Sequence, residues 1–329
     1  EHIFPKDALK QAGELGFMGM YTPEDAGGLG MSRLDTSVIV EELARGCTST
    51  AAFLTIHNMA TSMVGTYGKP ALIEEWCGDL VVGEKLASYC LTEPSKMFIS
   101  GAGSTDLLVA MLRTGGDGPK GISAFAIPAD APGVSYGKKE EKMGWNSQPT
   151  RTVSFEDVVV PAANMLGSEG EGFKIAMKGL DGGRINIATC SIGTAQAAIE
   201  ATIAYVKERK QFGQAIADFQ NTQFKLADMT TDLVAARQMV RLAAFKLDSR
   251  DPEASVYCAM AKRFATDVCF TICNDALQLH GGYGYIKEYP LERHVRDSRV
   301  HQILEGTNEI MRVIIGRRLL MDGALEVIK

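Results

Sequence analysis

The sequence predicts an α+β fold in three parts: an N-terminal helical domain over residues 1–86, a middle antiparallel β domain over 87–168 and a C-terminal four-helix bundle over 169–329. Two observations predict it. From about Leu86 to Gly167 the chain breaks into short runs rich in Val, Ile, Phe and Thr, separated by Gly/Pro turns, the signature of a small antiparallel sheet domain. After Phe173 the apolar residues recur at spacings of three, four and seven, which gathers them on one face of each of several long helices.

In order, residues 6–15 read as a short amphipathic helix, followed by a loop over 22–30. Gly27, Gly28 and Gly30 lack the spacing and preceding strand of a dinucleotide fingerprint, so they mark a turn. Ser32 can cap a helix through Ala44, and Thr48 or Ser49 another through about Val64. Gly68-Lys-Pro70 then breaks the pattern before a short helix over 71–77. Strands are expected at 86–91, 107–113, 122–127, 134–136, 152–155 and 158–160. The cluster Gly167–Gly172 has the look of a phosphate loop, but its two glutamates would repel an anion, and it reads as a linker. One helix follows from Phe173 to about Lys207, tolerating Gly179, Gly182, Gly183 and Gly193. A second carries Leu226, Met229, Leu233, Val240, Ala244 and Leu247; a third carries Val256, Met260, Phe264, Val268, Ile272, Ala276 and Leu279 and stops at Gly281-Gly282. The fourth begins near Leu291, is interrupted around 305–307 and resumes to about Leu320. One apolar stripe per helix makes an antiparallel bundle.

A net charge of -6 gives no electrostatic reason to expect nucleic acid or an anionic membrane as a partner. The pairs Lys138-Lys139 and Arg317-Arg318 leave room for one phosphorylated small molecule. No apolar run is long enough to span a bilayer, and the opening residues read as neither a signal nor a transit peptide. Seven scattered cysteines fit a reducing compartment. Cys269 and Cys273 lie one helical turn apart with His280 two turns on, but without a second cysteine pair they read as core, and no metal site is expected.

Glu305 is the residue in the least ordinary setting. It follows Ile303 and Leu304 and precedes Gly306, where a surface glutamate would have polar neighbours. A helix end delivering this carboxylate into a cleft would desolvate it and raise its pKa, as a general base near neutral pH requires; the plainer reading is a glutamate before a turn. Thr92 beside Phe98-Ile-Ser100 suits a flat heteroaromatic ring or ordinary strand ends. Arg209-Lys-Gln-Phe-Gly213 could hold a diphosphate or complement a helix dipole. Gln278-Leu-His-Gly-Gly282 offers bare backbone N–H groups to a phosphate, or simply stops a helix.

In order and spacing these pieces closely resemble the acyl-CoA dehydrogenase family of flavoenzymes. The resemblance rests on Tyr89-Cys-Leu-Thr-Glu-Pro94, Lys96-Met-Phe-Ile-Ser100, Val160-Pro161, Arg209-Lys-Gln-Phe-Gly213, Gln278-Leu-His-Gly-Gly-Tyr-Gly284 and Glu305-Gly-Thr-Asn-Glu309, which span nearly the whole chain. Segments 144–151, 182–188 and 300–306 are most similar to the members that act on isobutyryl-CoA. The resemblance implies a homotetramer with FAD between the β domain and the bundle, in a bacterial cytoplasm or mitochondrial matrix. Tyr89, Leu91, Thr92, Phe98, Ile99 and Ser100 would surround the isoalloxazine. Arg209, Phe212, Phe219 and Gln220, with Gln278, Leu279, His280, Gly281 and Gly282, would hold the rest of FAD across a subunit boundary. Thr307, Asn308 and Glu309 would also meet the cofactor. Asp181, Gly182, Gly183 and Arg184 would line the acyl-CoA channel, and Arg317 would lie toward the nucleotide end of CoA. Glu305 would remove the α-proton of the thioester, the β-hydrogen would leave as hydride, and electron-transfer flavoprotein would reoxidise the flavin. Subfamilies that carry the base on the earlier helix place it where this chain has Gly183, which argues against them.

The chain departs from the family pattern at one place. Pro94 runs directly into Ser95-Lys96, so roughly two dozen expected residues are absent, and the first helix starts late. Either the piece is deleted, giving a crippled or repurposed flavoprotein, or the written sequence omits residues of a mobile loop beside a partly occupied flavin. Losing two strands would bare sheet edges, which favours the second account.

Overall fold

The computed structural model describes residues 3–91 and 96–321. Thr92 and the Pro94–Ser95 junction lie outside the described residues. The helices are α1 (Lys6–Glu14), α2 (Arg33–Gly46), α3 (Thr48–Tyr67), α4 (Pro70–Val81), α5 (Gly172–Glu208), α6 (Gln220–Asp248), α7 (Ala254–His280), α8 (Leu291–Arg299) and α9 (Asn308–Leu319). The strands are β1 (Ala87–Cys90), β2 (Lys96–Ser100), β3 (Leu107–Arg113), β4 (Ile122–Pro128), β5 (Val134–Tyr136), β6 (Thr150–Phe155) and β7 (Met165–Leu166). The chain forms two compact units, residues 1–32, 53–142 and 146–183 in the first and 33–52, 143–145 and 184–329 in the second. The division falls inside α3, after Ala52, and inside α5, after Gly183.

In the first unit the strands form a four-stranded sheet in the order β1-β3-β4-β7 and a three-stranded sheet in the order β2-β6-β5. β3 reads as an unbroken apolar run because both its faces are covered. Leu107, Val109 and Met111 join a core with Ala60, Val64, Trp76 and Leu80 of α3 and α4, while Leu108 and Ala110 join Ile99 and Val153 on the other side. The β3–β4, β4–β7, β2–β6 and β5–β6 ladders are antiparallel as expected. The β1–β3 ladder is parallel, with Ala87 opposite Leu107 and Cys90 opposite Ala110. Two strands can run parallel only with a long connection between them, and here that connection passes through β2 in the other sheet. The expected strand at 158–160 does not form: Val159 is almost fully exposed, and Pro161, without an N–H, follows it. β7 takes the place beside β4 instead.

The second unit is the bundle. Its core joins Ala188, Ile192 and Ala195 of α5 with Leu233, Ala236 and Val240 of α6 and Ala261, Ala265, Cys269 and Ile272 of α7. On α7 the buried face differs from the expected stripe. Met260, Phe264, Val268 and Leu279 are only half-buried, and the residues turned fully inward are mostly Ala, Cys and Thr. Small side chains admit close helix approach, and the larger ones sit on the shoulders. Gly193 serves the same end on α5, because a Cβ there would stand 2.2 Å from the Glu41 carbonyl oxygen of α2. Glu41 is buried and receives Arg237 Nε at 2.7 Å and Arg241 Nη2 at 2.5 Å from α6. The first N–H groups of α2 are met by Asp248, whose carboxylate accepts from Arg33 N at 2.7 Å and Leu34 N at 3.0 Å. α7 ends at Gly281, whose φ of 57 and ψ of -135 suit glycine almost alone.

Candidate active site

Within the second unit the fourth helix is broken at the expected place. α8 ends at Arg299, a 3-10 turn covers Val300–Gln302, and α9 starts after Thr307, whose hydroxyl accepts the Ile310 N–H. Glu305 and Gly306 lie in the gap with φ of 57 and 86. A left-handed residue with a Cβ costs about 1–2 kcal/mol, so the turn must be held by its surroundings. α7 holds it. Lys262 Nζ donates to the Gly306 carbonyl at 2.9 Å and to Asn308 Oδ1 at 2.7 Å. Asn308 Nδ2 in turn donates to Asp267 Oδ1 at 2.7 Å and Thr266 Oγ1 at 2.9 Å. Gln302 Nε2 reaches the same Asp267 oxygen at 2.8 Å. The turn is therefore tied to one face of α7 on both sides of Glu305.

As a whole residue Glu305 is half-buried, yet its Oε2 is closed to solvent and accepts no hydrogen bond from the described residues. Loss of hydration pushes the carboxyl up to about 7, against the opposing pull of the Arg184 and Lys262 charges. Lys262 is fully buried. Burial pushes its ammonium down to about 8, with Glu305, Asp267 and Glu309 opposing and Arg184 reinforcing. Arg184, expected in the acyl channel, is thus one of the charges acting on Glu305.

A second device precedes the turn by four residues. The Trp145 indole N–H donates to His301 Nε2 at 3.2 Å, which leaves the imidazole proton on Nδ1, facing Ser191 Oγ at 2.7 Å. Ser191 passes its own proton to the Ile187 carbonyl at 3.0 Å. His301 is fully buried and its pKa is pushed down to about 3 by desolvation, so the chain stays neutral. The Trp145 main-chain N–H donates to Asp297 at 2.6 Å, and a Cβ on Gly144 would stand 2.5 Å from the Arg296 carbonyl oxygen. Residues 143–145 are in this way inlaid against α8.

At the end of α7 an open cavity of about 440 Å³ brings together Arg209, Gln278, Leu279, His280, Gly281 and Gly282. Tyr205 and Tyr283 also line it, with the Arg209 guanidinium 5.4 Å from the Tyr283 ring. A Cβ at Gly281 or Gly282 would meet nothing within 4 Å, so bare backbone faces open space. A cation, exposed peptide groups and aromatic faces together fit a nucleotide diphosphate. The His280 ring is used internally, stacked on Tyr205 at 4.3 Å with Nδ1 against the Ala276 carbonyl at 2.8 Å. Phe212 and Phe219 pair edge to face at 6.4 Å, and neither they nor Gln220 lines this cavity. Arg317 is exposed on α9.

In the first unit Phe98 has a φ of 57 and is 67% exposed, because the β2 register shifts between Lys96 and Ile99. Ile99, expected at the cofactor, is buried in the sheet core, so only its main chain is available. Asn308 is corrected likewise, its side chain being buried and spent on Lys262, Thr266 and Asp267. Tyr89 and Leu91 pack against the core at β1, and the Ser100 carbonyl accepts from Ser88 Oγ at 2.7 Å. Asp181 is half-buried and Gly182 and Gly183 are buried on α5. Lys262 and the Trp145–His301–Ser191 chain were not foreseen. A lysine in step with Cys258, Thr266 and Cys269 on the small-residue face of α7 was the available signal. Among the described residues no cluster of three or more His, Cys, Asp or Glu could hold a metal, and no helix is long and apolar enough to cross a membrane.

Three family profiles match in succession: acyl-CoA dehydrogenase N-terminal domain over residues 1–84, middle domain over 83–158 and C-terminal domain over 170–320. The chain belongs to the acyl-CoA dehydrogenase family. It is 52% identical to the mitochondrial isobutyryl-CoA dehydrogenase of Bos taurus, covering 98% of this chain and 83% of that one. Against its counterpart in Dictyostelium discoideum it is 51% identical, with the same coverage. The solved butyryl-CoA dehydrogenase of Megasphaera elsdenii superposes with a TM-score of 0.93 at 39% identity, over 97% of this chain and 91% of that one. The alignment to the Bos taurus acyl-CoA dehydrogenase runs to 346 residues while covering 98% of a 329-residue chain. About two dozen of its positions therefore have no counterpart here, the number missing by comparison of motifs. Acyl-CoA dehydrogenases are flavoprotein oxidoreductases, and the cavity at the end of α7 has the chemistry to hold the diphosphate part of FAD.

Proposed function

We propose that this acyl-CoA dehydrogenase acts on a short branched-chain thioester, converting isobutyryl-CoA to methacrylyl-CoA in valine breakdown. The observation that carries the proposal is the Glu305 carboxylate, dry, unpaired at Oε2 and poised at about 7. A base with that pKa is about half ionised at neutral pH and still binds a proton firmly. Glu305 takes the α-proton of the thioester, and its main-chain N–H serves the developing enolate oxygen; one such donor is worth about 3 kcal/mol. FAD, when bound, supplies the acceptor for the β-hydride. Arg209 and the backbone at Gln278–Gly282 hold its diphosphate side, and Phe212, Phe219 and Gln220, outside that cavity, meet FAD across a subunit boundary. Tyr89, Leu91, Thr92, Phe98 and Ser100 serve the isoalloxazine, and Thr307 and Glu309 the cofactor near the base. Asp181, Gly182 and Gly183 line the acyl channel with Arg184, and Arg317 meets CoA. Electron-transfer flavoprotein is the acceptor of the electrons, and the assembly is a homotetramer. The identity to two isobutyryl-CoA dehydrogenases supports the choice of acyl group.

One methylene of acyl chain changes binding by only about 1–3 kcal/mol. Initial rates on isobutyryl-, 2-methylbutyryl- and butyryl-CoA, with electron-transfer flavoprotein as acceptor, test the substrate; a preference for either of the last two overturns it. Glu305→Gln tests the base, with near-complete loss of turnover and flavin retained as the expected result. A real deletion of the two dozen positions would favour one rival, a flavin-free scaffold, which would show no flavin absorbance even after reconstitution.

A further inference from the structure

Lys262 is a buried cation whose bonds end on the Glu305 turn. It stands on α7 in step with Cys258, Thr266 and Cys269, all turned into the core. Methionine would fill such a place at the same length without the cost of desolvating a charge. Here the ammonium is spent on the Gly306 carbonyl at 2.9 Å and on Asn308 Oδ1 at 2.7 Å. Those two acceptors bracket Thr307 and lie directly after Glu305. The charges facing it are Asp267 on its own helix, Glu305 in the turn, Glu309 on α9 and Arg184 on α5.

We propose that Lys262 is a positioning residue for proton abstraction: bonded to Gly306 and Asn308, it fixes the left-handed turn that aims Glu305 and lends it a neighbouring positive charge. The proposal rests on the reading of Glu305 as the base. A lysine suits both roles because one group supplies the hydrogen bonds that set the turn and, beside the larger pull of Arg184, a charge that favours the ionised carboxylate. Desolvation pulls the carboxyl up and Lys262 pulls it down, so the lysine limits how far the base rises.

Flavin-loaded Lys262→Met and Lys262→Gln are compared with wild type and with Glu305→Gln. Both Lys262 variants should keep flavin and lose about 100-fold in kcat, as a small misplacement of a reacting group does. Their acid limb of kcat/KM should move up by about one pH unit, because a neighbouring cation has gone. Lys262→Arg, which keeps the charge, should hold the limb near its wild-type position. Lower kcat with an unmoved acid limb would make Lys262 merely structural and overturn the proposal, as would failure of both neutral variants to fold. Substantial turnover by Glu305→Gln is a separate result and overturns instead the assignment of the base.

Discussion

A carboxyl that the fold keeps dry should cost stability wherever it is ionised, and Glu305→Gln measures that cost. In the folded chain its pKa is raised from 4.5 to about 7. Between those values the folded protein holds a proton that the unfolded chain has released. Stability from this site is therefore highest below 4.5, falls as pH rises through the window and is level above about 7. A shift of this size corresponds to about 3 kcal/mol, which the partial exposure of the residue reduces to roughly 2–3 kcal/mol. Glutamine occupies the same space without ionising, so Glu305→Gln should be stabilised relative to wild type by about 2–3 kcal/mol more at about pH 8 than at about pH 5. Urea unfolding of both flavin-free proteins at the two pH values checks this, because groups remote from Glu305 cancel in the difference and leave Glu305 with the coupled Lys262 ammonium. A stability difference independent of pH, or a wild type gaining on the variant as pH rises, would show that the carboxylate is solvated and refute the derivation. The same acidity should appear as an acid limb of kcat/KM near about 7 in the wild type.

Two further substitutions probe the supports of the site. Gly193→Ala would set a Cβ 2.2 Å from the Glu41 carbonyl oxygen, a clash with main chain that should cost about 1–3 kcal/mol, read by denaturant unfolding as a lowered midpoint. Trp145→Phe removes the donor to His301 Nε2 and leaves a buried acceptor unpaired, at about 1–3 kcal/mol; a lowered midpoint with flavin content unchanged is the expected outcome.

Glu305 stood out in the sequence because its strangeness is local: Ile303 and Leu304 before it and Gly306 after it fit a helix end that carries a carboxylate out of water or a plain turn, and the motifs elsewhere in the chain favoured the first. The helical bundle was legible for the same reason, each stripe being written within a single element. Strand partners are not local, so the parallel β1–β3 ladder and the short β7 edge could be read only once β2 was seen in the other sheet. The α7 face misled because hydropathy weights Met260 and Phe264 above Ala261 and Ala265, while packing at a crowded helix contact favours the small residues. Lys262 shows the limit most clearly. In sequence its step with Cys258, Thr266 and Cys269 hints at burial, but nothing beside it tells of Gly306 or Asn308, which lie 44 and 46 positions further on. The Glu305 turn can be read from its neighbours in the chain; the Lys262 ammonium bonded to that turn can be read only from its neighbours in space.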